Sequence, residues 1–287
     1  TYTGALSVLG SIGARVIGVP SDDDGPLPEA LAAALERHRP RLLYVQPTFQ
    51  NPTTRVTSEP RRRAILDLAR AHRCPVVEDD WAGDLRLEGE PVPTIHALDG
   101  GRGSVYLGSF SKNLMPGLRV GWLAAPPEVA RRLEALKQIT DCGTSPMIQM
   151  ALWRFLDGGH LEPPLERVRA GYRGRRDAML AGLARHFPAE VTWTRPCGGL
   201  FVWVTMPDTI DGDELFVAAG REGVSFSCGS LFHLEGRGRN TLRLAYASVE
   251  PDRIDEGLRI LGGLIAERLA EPERRSPGGV ERTLPVL

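Results

Sequence analysis

Four side chains with complementary chemistry lie close together in the segment YLGSFSKNLMPGLRVGW (106–122). Ser109, Ser111 and Arg119 suit an oxyanion such as phosphate, because hydroxyls donate hydrogen bonds and a guanidinium is a planar, permanently charged fork. Lys112 carries a primary amine, which can form a Schiff base with an aldehyde. Lysines at strand ends usually lie in water, and the segment alone leaves this alternative open.

The position of the segment favours the chemical interpretation. The residues SVYLGS (104–109) have the pattern of a buried strand, and open α/β sheets bind ligands beyond the carboxyl ends of their strands. A single ligand that carries a phosphate and an aldehyde would use all four side chains. The residues therefore predict pyridoxal 5'-phosphate (PLP) as a cofactor.

Three carboxylates follow another apolar strand, in VVEDDWAGDL (76–85). A carboxylate beside a pyridine nitrogen keeps that nitrogen protonated, as an electron sink requires. Alternation along the strand directs Glu78 and Asp80 to one face and Asp79 to the other, so they should not share a role. A solvated acidic loop is the alternative.

Two further polar residues are candidates. Asn51, in QPTFQNPTT (46–54), follows a strand and precedes a proline, which also fits a simple turn. Arg243 interrupts the apolar strand RNTLRLAYA (239–247), where a charge is costly unless it is paired. It forms either an internal salt bridge or a clamp for a substrate carboxylate.

The elements that must position these residues alternate in the first half of the chain. This pattern predicts an α/β fold with a mainly parallel sheet and helices on both faces. Predicted strands are 14–20, 41–47, 74–80 and 104–109, and predicted helices are 27–40 and 59–72.

The second half changes to helices and hairpin-like strands, which predicts a smaller C-terminal α+β domain. We expect a large domain over 1–160, a small domain over 161–270 and a disordered tail over 271–287. The predicted helices are 126–140, 145–159, 164–186, 211–222 and 251–269, and the predicted strands are 191–194, 198–207 and 240–247.

Composition narrows the function classes. The 287 residues carry a net charge of −1, so the chain lacks the excess of positive charge that is typical of nucleic-acid-binding domains. No apolar run approaches the ~20 residues of a membrane span. The four cysteines form no CxxC pair and the histidines show no metal-ligand spacing, so we expect no metal site and a reducing, cytoplasmic setting. Thr1 begins in what reads as the middle of a domain, and we expect an N-terminal part to be missing.

Five motifs together resemble, in order and spacing, those of the fold-type I PLP-dependent aminotransferases of class I/II. They are YVQPTFQNPTT, VVEDDWAGDL, GSFSKNLMPGLRVGW, RPCGGLFVW and NTLRLAYA. The resemblance is to 2-aminoadipate and kynurenine aminotransferase-like enzymes and to the aminotransferase-like domains of MocR-type regulators. It covers roughly 1–270 and implies a fold-type I architecture and a homodimer.

The resemblance also implies a role for each candidate. Lys112 would form the Schiff base and move protons, and Asp79 would bind the pyridinium nitrogen. Asn51 would donate to the pyridine 3-oxygen and also line the substrate site. The remaining roles are the phosphate contacts of Ser109, Ser111 and Arg119, and the grip of Arg243 on the substrate α-carboxylate.

One position departs from the family pattern. Aminotransferases of this group usually carry a tyrosine three residues after the aspartate, where this chain has Ala82. MocR-type domains tend to have a tyrosine one residue earlier, where Trp81 stands. We expect Trp81 to contact the cofactor, although an indole can donate a hydrogen bond but cannot become a phenolate.

Three functions remain open from the sequence. The leading one is transfer of an amino group between an α-amino acid and a 2-oxo acid. The second is the effector domain of a MocR-type regulator, which would contact nucleic acid only through an upstream DNA-binding domain. The third keeps PLP but changes the reaction to decarboxylation, elimination or racemisation, because one fold hosts many chemistries.

Overall fold

The computed structural model describes residues 1–234 and 236–270, so the predicted tail over 271–287 lies outside the described residues. The first part of the chain forms α1 (Thr3–Ser11), β1 (Ser21–Asp22), β2 (Gly25–Pro26), α2 (Pro28–His38), β3 (Leu43–Val45), α3 (Glu59–Ala71), β4 (Val76–Asp80), α4 (Ile95–Asp99), β5 (Ser104–Ser109) and β6 (Gly121–Ala124). The second part forms α5 (Pro127–Asp141), α6 (Pro146–Asp157), α7 (Glu162–His186), β7 (Thr192–Trp193), β8 (Phe201–Thr205), α8 (Gly212–Arg221), β9 (Ser227–Cys228), β10 (Thr241–Ala245) and α9 (Pro251–Ala270).

The first sheet has the strand order β3-β4-β5-β6, in which β3, β4 and β5 run parallel and β6 is antiparallel. Apolar side chains of β3 and β4 pack with α2 and α3 into one core, which includes Leu31, Leu35, Val45, Ile65 and Val76. The prediction of a mainly parallel sheet is confirmed. Because parallel strands end at the same edge, the polar segments after β3, β4 and β5 are neighbours.

The strand predicted over 14–20 is wrong. Val19 packs against the first core, but no strand within the described residues pairs with this segment, and the sheet ends at β3. An apolar pattern can signal burial, whereas a strand also needs a partner backbone. The next residues form only the short hairpin of β1 and β2.

The second sheet is antiparallel, with the order β7-β8-β10-β9. Its core is shared with α7, α8 and α9 and includes Leu183, Val202, Leu215, Leu244 and Leu261. This is the predicted α+β architecture of the C-terminal part. The boundary near 160 stays a prediction, and α7 begins close to it at Glu162.

Several elements carry exposed apolar side chains. Helix α5 buries none of its residues, and Ile139 on it is 84% exposed. The same is seen on α6 and β6, where the exposed side chains include Met147, Met150, Trp153, Trp122 and Leu123. Exposed apolar surface of this kind marks a contact surface. No helix within the described residues combines the length and apolar character needed to cross a membrane.

Candidate active site

Asp79 lies near the carboxyl end of β4, and its side chain faces the end of β3. Its Oδ2 accepts hydrogen bonds from the Tyr44 hydroxyl and from Gln46 Nε2, the latter at 2.9 Å. Burial raises the pKa of the Asp79 carboxyl, and the two hydrogen bonds oppose that shift. The two donated hydrogen bonds therefore stabilise the ionised carboxylate of Asp79, which a partly buried functional carboxylate needs.

Glu78 and Asp80 have different partners from Asp79. Glu78 is fully buried beside Arg62 and accepts the backbone N–H groups of Ile95 and His96, at 2.9 and 2.8 Å. It therefore ties β4 to the start of α4. Asp80 accepts a 2.7 Å hydrogen bond from the Tyr106 hydroxyl. This separation agrees with the alternation predicted from the sequence.

Arg243, on β10, donates to Asn51 Oδ1 at 2.8 Å and to Ser227 Oγ at 3.0 Å. Its guanidinium carbon lies 3.8 Å from the ring centroid of Phe201 and 4.8 Å from that of Phe232. One amide oxygen, one hydroxyl oxygen and two aromatic rings thus surround the guanidinium group.

No carboxylate pairs with Arg243 in the part of the chain that the structure describes, and its Nε is buried without a partner there. Among the described residues, Arg243 therefore forms no internal salt bridge. Burial lowers the pKa of Arg243 to about 10, so the group stays charged at neutral pH. A partly buried cation with no carboxylate partner among the described residues is suited to bind a carboxylate.

The segment after β5 turns back to pair with β6. Ser109 Oγ accepts the backbone N–H of Ser111 at 3.1 Å. Arg119 has a left-handed backbone with a φ of 52° and an exposed side chain, which donates to the Pro116 carbonyl at 3.2 Å. Lys112 is exposed and makes neither a hydrogen bond nor an ion pair to any described residue. Its amine therefore has no partner among the described residues.

The structure brings the candidates together in two groups. Asp79, Asn51 and Arg243 belong to one hydrogen-bonded group that includes Gln46. The residues after β5 form the second group, at the end of the adjacent strand, where Asp79 is the register partner of Leu107. No hydrogen bond between described residues joins the two groups.

Trp81 does not point its N–H toward Asp79. Its Nε1 donates to the Phe49 carbonyl at 3.2 Å, and its ring stacks on Phe201 with centroids 5.6 Å apart. The single donor of the indole is thus already used, so a cofactor contact of Trp81 would have to come from the ring. Ala82 is buried in the apolar cluster of Phe49 and Leu85.

The sequence analysis missed Tyr44, Gln46 and Ser227. A signal for the first two exists in YVQP, because residues two apart on a strand share a face and would meet a carboxylate on the neighbouring strand. Ser227 carries no such signal. It reaches Arg243 only because β9 pairs with β10.

Comparison with known proteins agrees with this geometry. The model of the family "Aminotransferase class I and II" matches residues 1–261. The chain is 41% identical over 273 residues to 2-aminoadipate transaminase of Thermus thermophilus, covering 94% of this chain and 68% of that protein. A crystal structure of kynurenine aminotransferase from Pyrococcus horikoshii in complex with PMP superposes with a TM-score of 0.91 and 39% identity, over 94% of this chain and 68% of that one.

The chain also matches transcription regulators. It is 36% identical over 259 residues to the HTH-type regulator YisV of Bacillus subtilis, covering 90% of this chain and 53% of the regulator. The chain spans between about half and about two thirds of the length of the curated relatives it matches. Because the family model matches residues 1–261, the chain belongs to the aminotransferase class I and II family.

Proposed function

We propose that the encoded protein is a PLP-dependent aminotransferase that moves an amino group between an α-amino acid and a 2-oxo acid. The observation that carries the proposal is Arg243, a partly buried cation that pairs with no described carboxylate and is hydrogen-bonded to Asn51. Incubation of the complete encoded protein with PLP, a panel of amino acids and 2-oxoglutarate tests it. Formation of the matching 2-oxo acid is the expected result.

The residues fit PLP because several of their polar atoms remain unused. Only one oxygen of Asp79 accepts hydrogen bonds from described residues, which leaves the other for a pyridine N–H. Asn51 uses its side-chain oxygen for Arg243, so its amide N–H groups are left to donate to the pyridine 3-oxygen. We assign the phosphate to Ser109, Ser111 and Arg119. When bound, PLP supplies an aldehyde and an electron-withdrawing ring.

Arg243 and Lys112 have separate roles, in substrate binding and in proton transfer. Arg243 binds and orients the α-carboxylate of the substrate, which fixes the bond from the α-carbon to its hydrogen relative to the cofactor. Lys112 Nζ takes the proton from the α-carbon and returns a proton later, as general base and then general acid. Its lack of a partner among the described residues suits this use.

Arg243→Met is expected to raise KM for the amino acid by roughly 10- to 100-fold, the scale of a lost hydrogen bond to a charged group. PLP affinity should stay within about twofold of the wild type, because the phosphate is held elsewhere. Steady-state kinetics and PLP titration measure both. Arg86→Met is the matched control, since Arg86 also lies over an aromatic ring, 5.0 Å from the Phe49 centroid. An unchanged KM in Arg243→Met would contradict the clamp.

We propose a homodimer as the working assembly. The exposed apolar side chains of α5, α6 and β6 support it, because closed two-fold dimers are the commonest assembly that covers exposed apolar surface. Light scattering of the complete encoded protein should give twice the chain mass. A monomer that keeps full activity would refute the proposal.

We further propose a reducing cytoplasmic compartment, which the four free cysteines support.

A second candidate function is the effector domain of a transcription regulator. The match to HTH-type regulators, of which this chain covers about half, favours it. The coding region upstream of Thr1 separates the two candidates. A winged helix-turn-helix there, with specific DNA binding that responds to PLP and an amine, would favour the regulator.

A further inference from the structure

Gln46 lies immediately beyond β3 and is buried, with 6% of its surface exposed. Both ends of its amide are used. Its Nε2 donates to Asp79 Oδ2 at 2.9 Å, and its Oε1 accepts the backbone N–H of Asn51 at 3.3 Å. It is therefore the side chain that joins Asp79 to Asn51, and through Asn51 to Arg243.

The orientation of this amide follows from its partners. A backbone N–H can only donate, so the oxygen of Gln46 must face Asn51. The NH₂ group then has to face Asp79, which must accept. The Gln46 amide therefore favours the ionised form of Asp79, because hydrogen bonds donated to a carboxylate stabilise its charge.

Asp79 uses only one of its two carboxylate oxygens for hydrogen bonds with described residues. Tyr44 and Gln46 both donate to Oδ2 from the side of β3. On the opposite side, β5 places the apolar Leu107 in register with Asp79. Tyr44 and Gln46 thus both donate to Oδ2 of Asp79. Its Oδ1 accepts no hydrogen bond from the described residues.

We propose that Gln46 is a positioning residue that holds Asp79 and Asn51 in one hydrogen-bonded unit, so that the acid beside the cofactor nitrogen and the arginine for the substrate carboxylate are aligned together. The proposal rests on the proposed function, because it assigns Asp79 and Arg243 the roles given there. Gln46 itself does not touch the reacting atoms. It acts through the carboxylate that it orients and the loop that it anchors.

The test compares Gln46→Met and Gln46→Glu with Gln50→Met in the complete encoded protein. Methionine has a similar length but neither donates nor accepts like an amide, and glutamate keeps an acceptor while it loses the donor. Gln50 is the matched control because it belongs to the same loop and bonds Asn51 and Thr53, but it does not contact Asp79.

The first readout needs no cofactor. The carboxyl ¹³C signal of Asp79, assigned by its loss in Asp79→Asn, is followed against pH in the protein freed of PLP. Gln46→Met should raise the Asp79 titration midpoint by about one pH unit, since a hydrogen bond to the charged form is lost, and Gln46→Glu should raise it at least as far. Gln50→Met should leave it unchanged.

The second readout is kinetic. Gln46→Met should lower kcat by roughly tenfold or more and leave the affinity for PLP within about twofold. An Asp79 midpoint that does not move in either Gln46 variant overturns the proposal, as does an equal shift in Gln50→Met. Wild-type protein that shows no transamination, together with a shifted midpoint, would leave the Gln46–Asp79 link supported and refute the proposed function instead.

Discussion

Lys112→Met is expected to abolish amino transfer, with kcat lowered by roughly 10⁴-fold, the upper end of what general acid–base catalysis supplies. The amine of Lys112 is the group that we assign to both the covalent link and the proton movements, and methionine can do neither. The chain offers a matched control, because it contains only two lysines, Lys112 and Lys137. Lys137 pairs with Asp141 on the exposed helix α5.

Chemical labelling tests the same assignment without kinetics. Borohydride reduction of the protein saturated with PLP, followed by peptide mapping, should place the label on Lys112 in the wild type and in Lys137→Met. It should leave Lys112→Met unlabelled. A label on Lys137, or no label in a saturated sample, would contradict the assignment of the covalent site.

Asp79→Asn is expected to slow the half-reaction with an amino acid by orders of magnitude. A carboxylate beside the pyridine nitrogen keeps the proton there, and an asparagine cannot. The loss should be on the scale of one transition-state charge contact, ~3 kcal/mol or more, which is about a hundredfold or more in rate. Cofactor affinity should fall much less, because it rests mainly on the phosphate groups.

Asp80→Asn is the matched variant one residue away. Asp80 accepts from Tyr106 rather than from Tyr44 and Gln46, and an asparagine oxygen can still accept that bond. We expect a loss of about tenfold or less. Stopped-flow absorbance of the cofactor during the half-reaction measures both variants. If Asp80→Asn is the slower of the two, the register assigned to this acidic cluster is off by one residue.

Local sequence patterns predicted the elements that carry the site. The strand over 104–109 is observed as β5 at Ser104–Ser109, and the period of two along β4 separated Asp79 from its neighbours correctly. Both features depend only on residues that are close in sequence.

Features that depend on distant residues were not predictable in the same way. The segment 14–20 has the composition of a strand, but no neighbouring backbone pairs with it. The choice between a salt bridge and a clamp at Arg243 required knowing which groups surround it, and Asn51 lies 192 residues away. The contacts of Tyr44 and Gln46 with Asp79 likewise form only when β3 and β4 align.

The two sheets contribute separately to the site, and this has a consequence for its evolution. The cofactor candidates lie on strands of the first sheet or in the segments that follow them, whereas Arg243 lies on β10 of the second sheet, and the hydrogen bond between Asn51 and Arg243 links the two sides of the site directly. Lineages can therefore diversify the strands around Arg243 while the cofactor residues stay fixed. In an alignment of many relatives, Asn51 and Arg243 should be retained together, and positions elsewhere on the two sheets should vary independently.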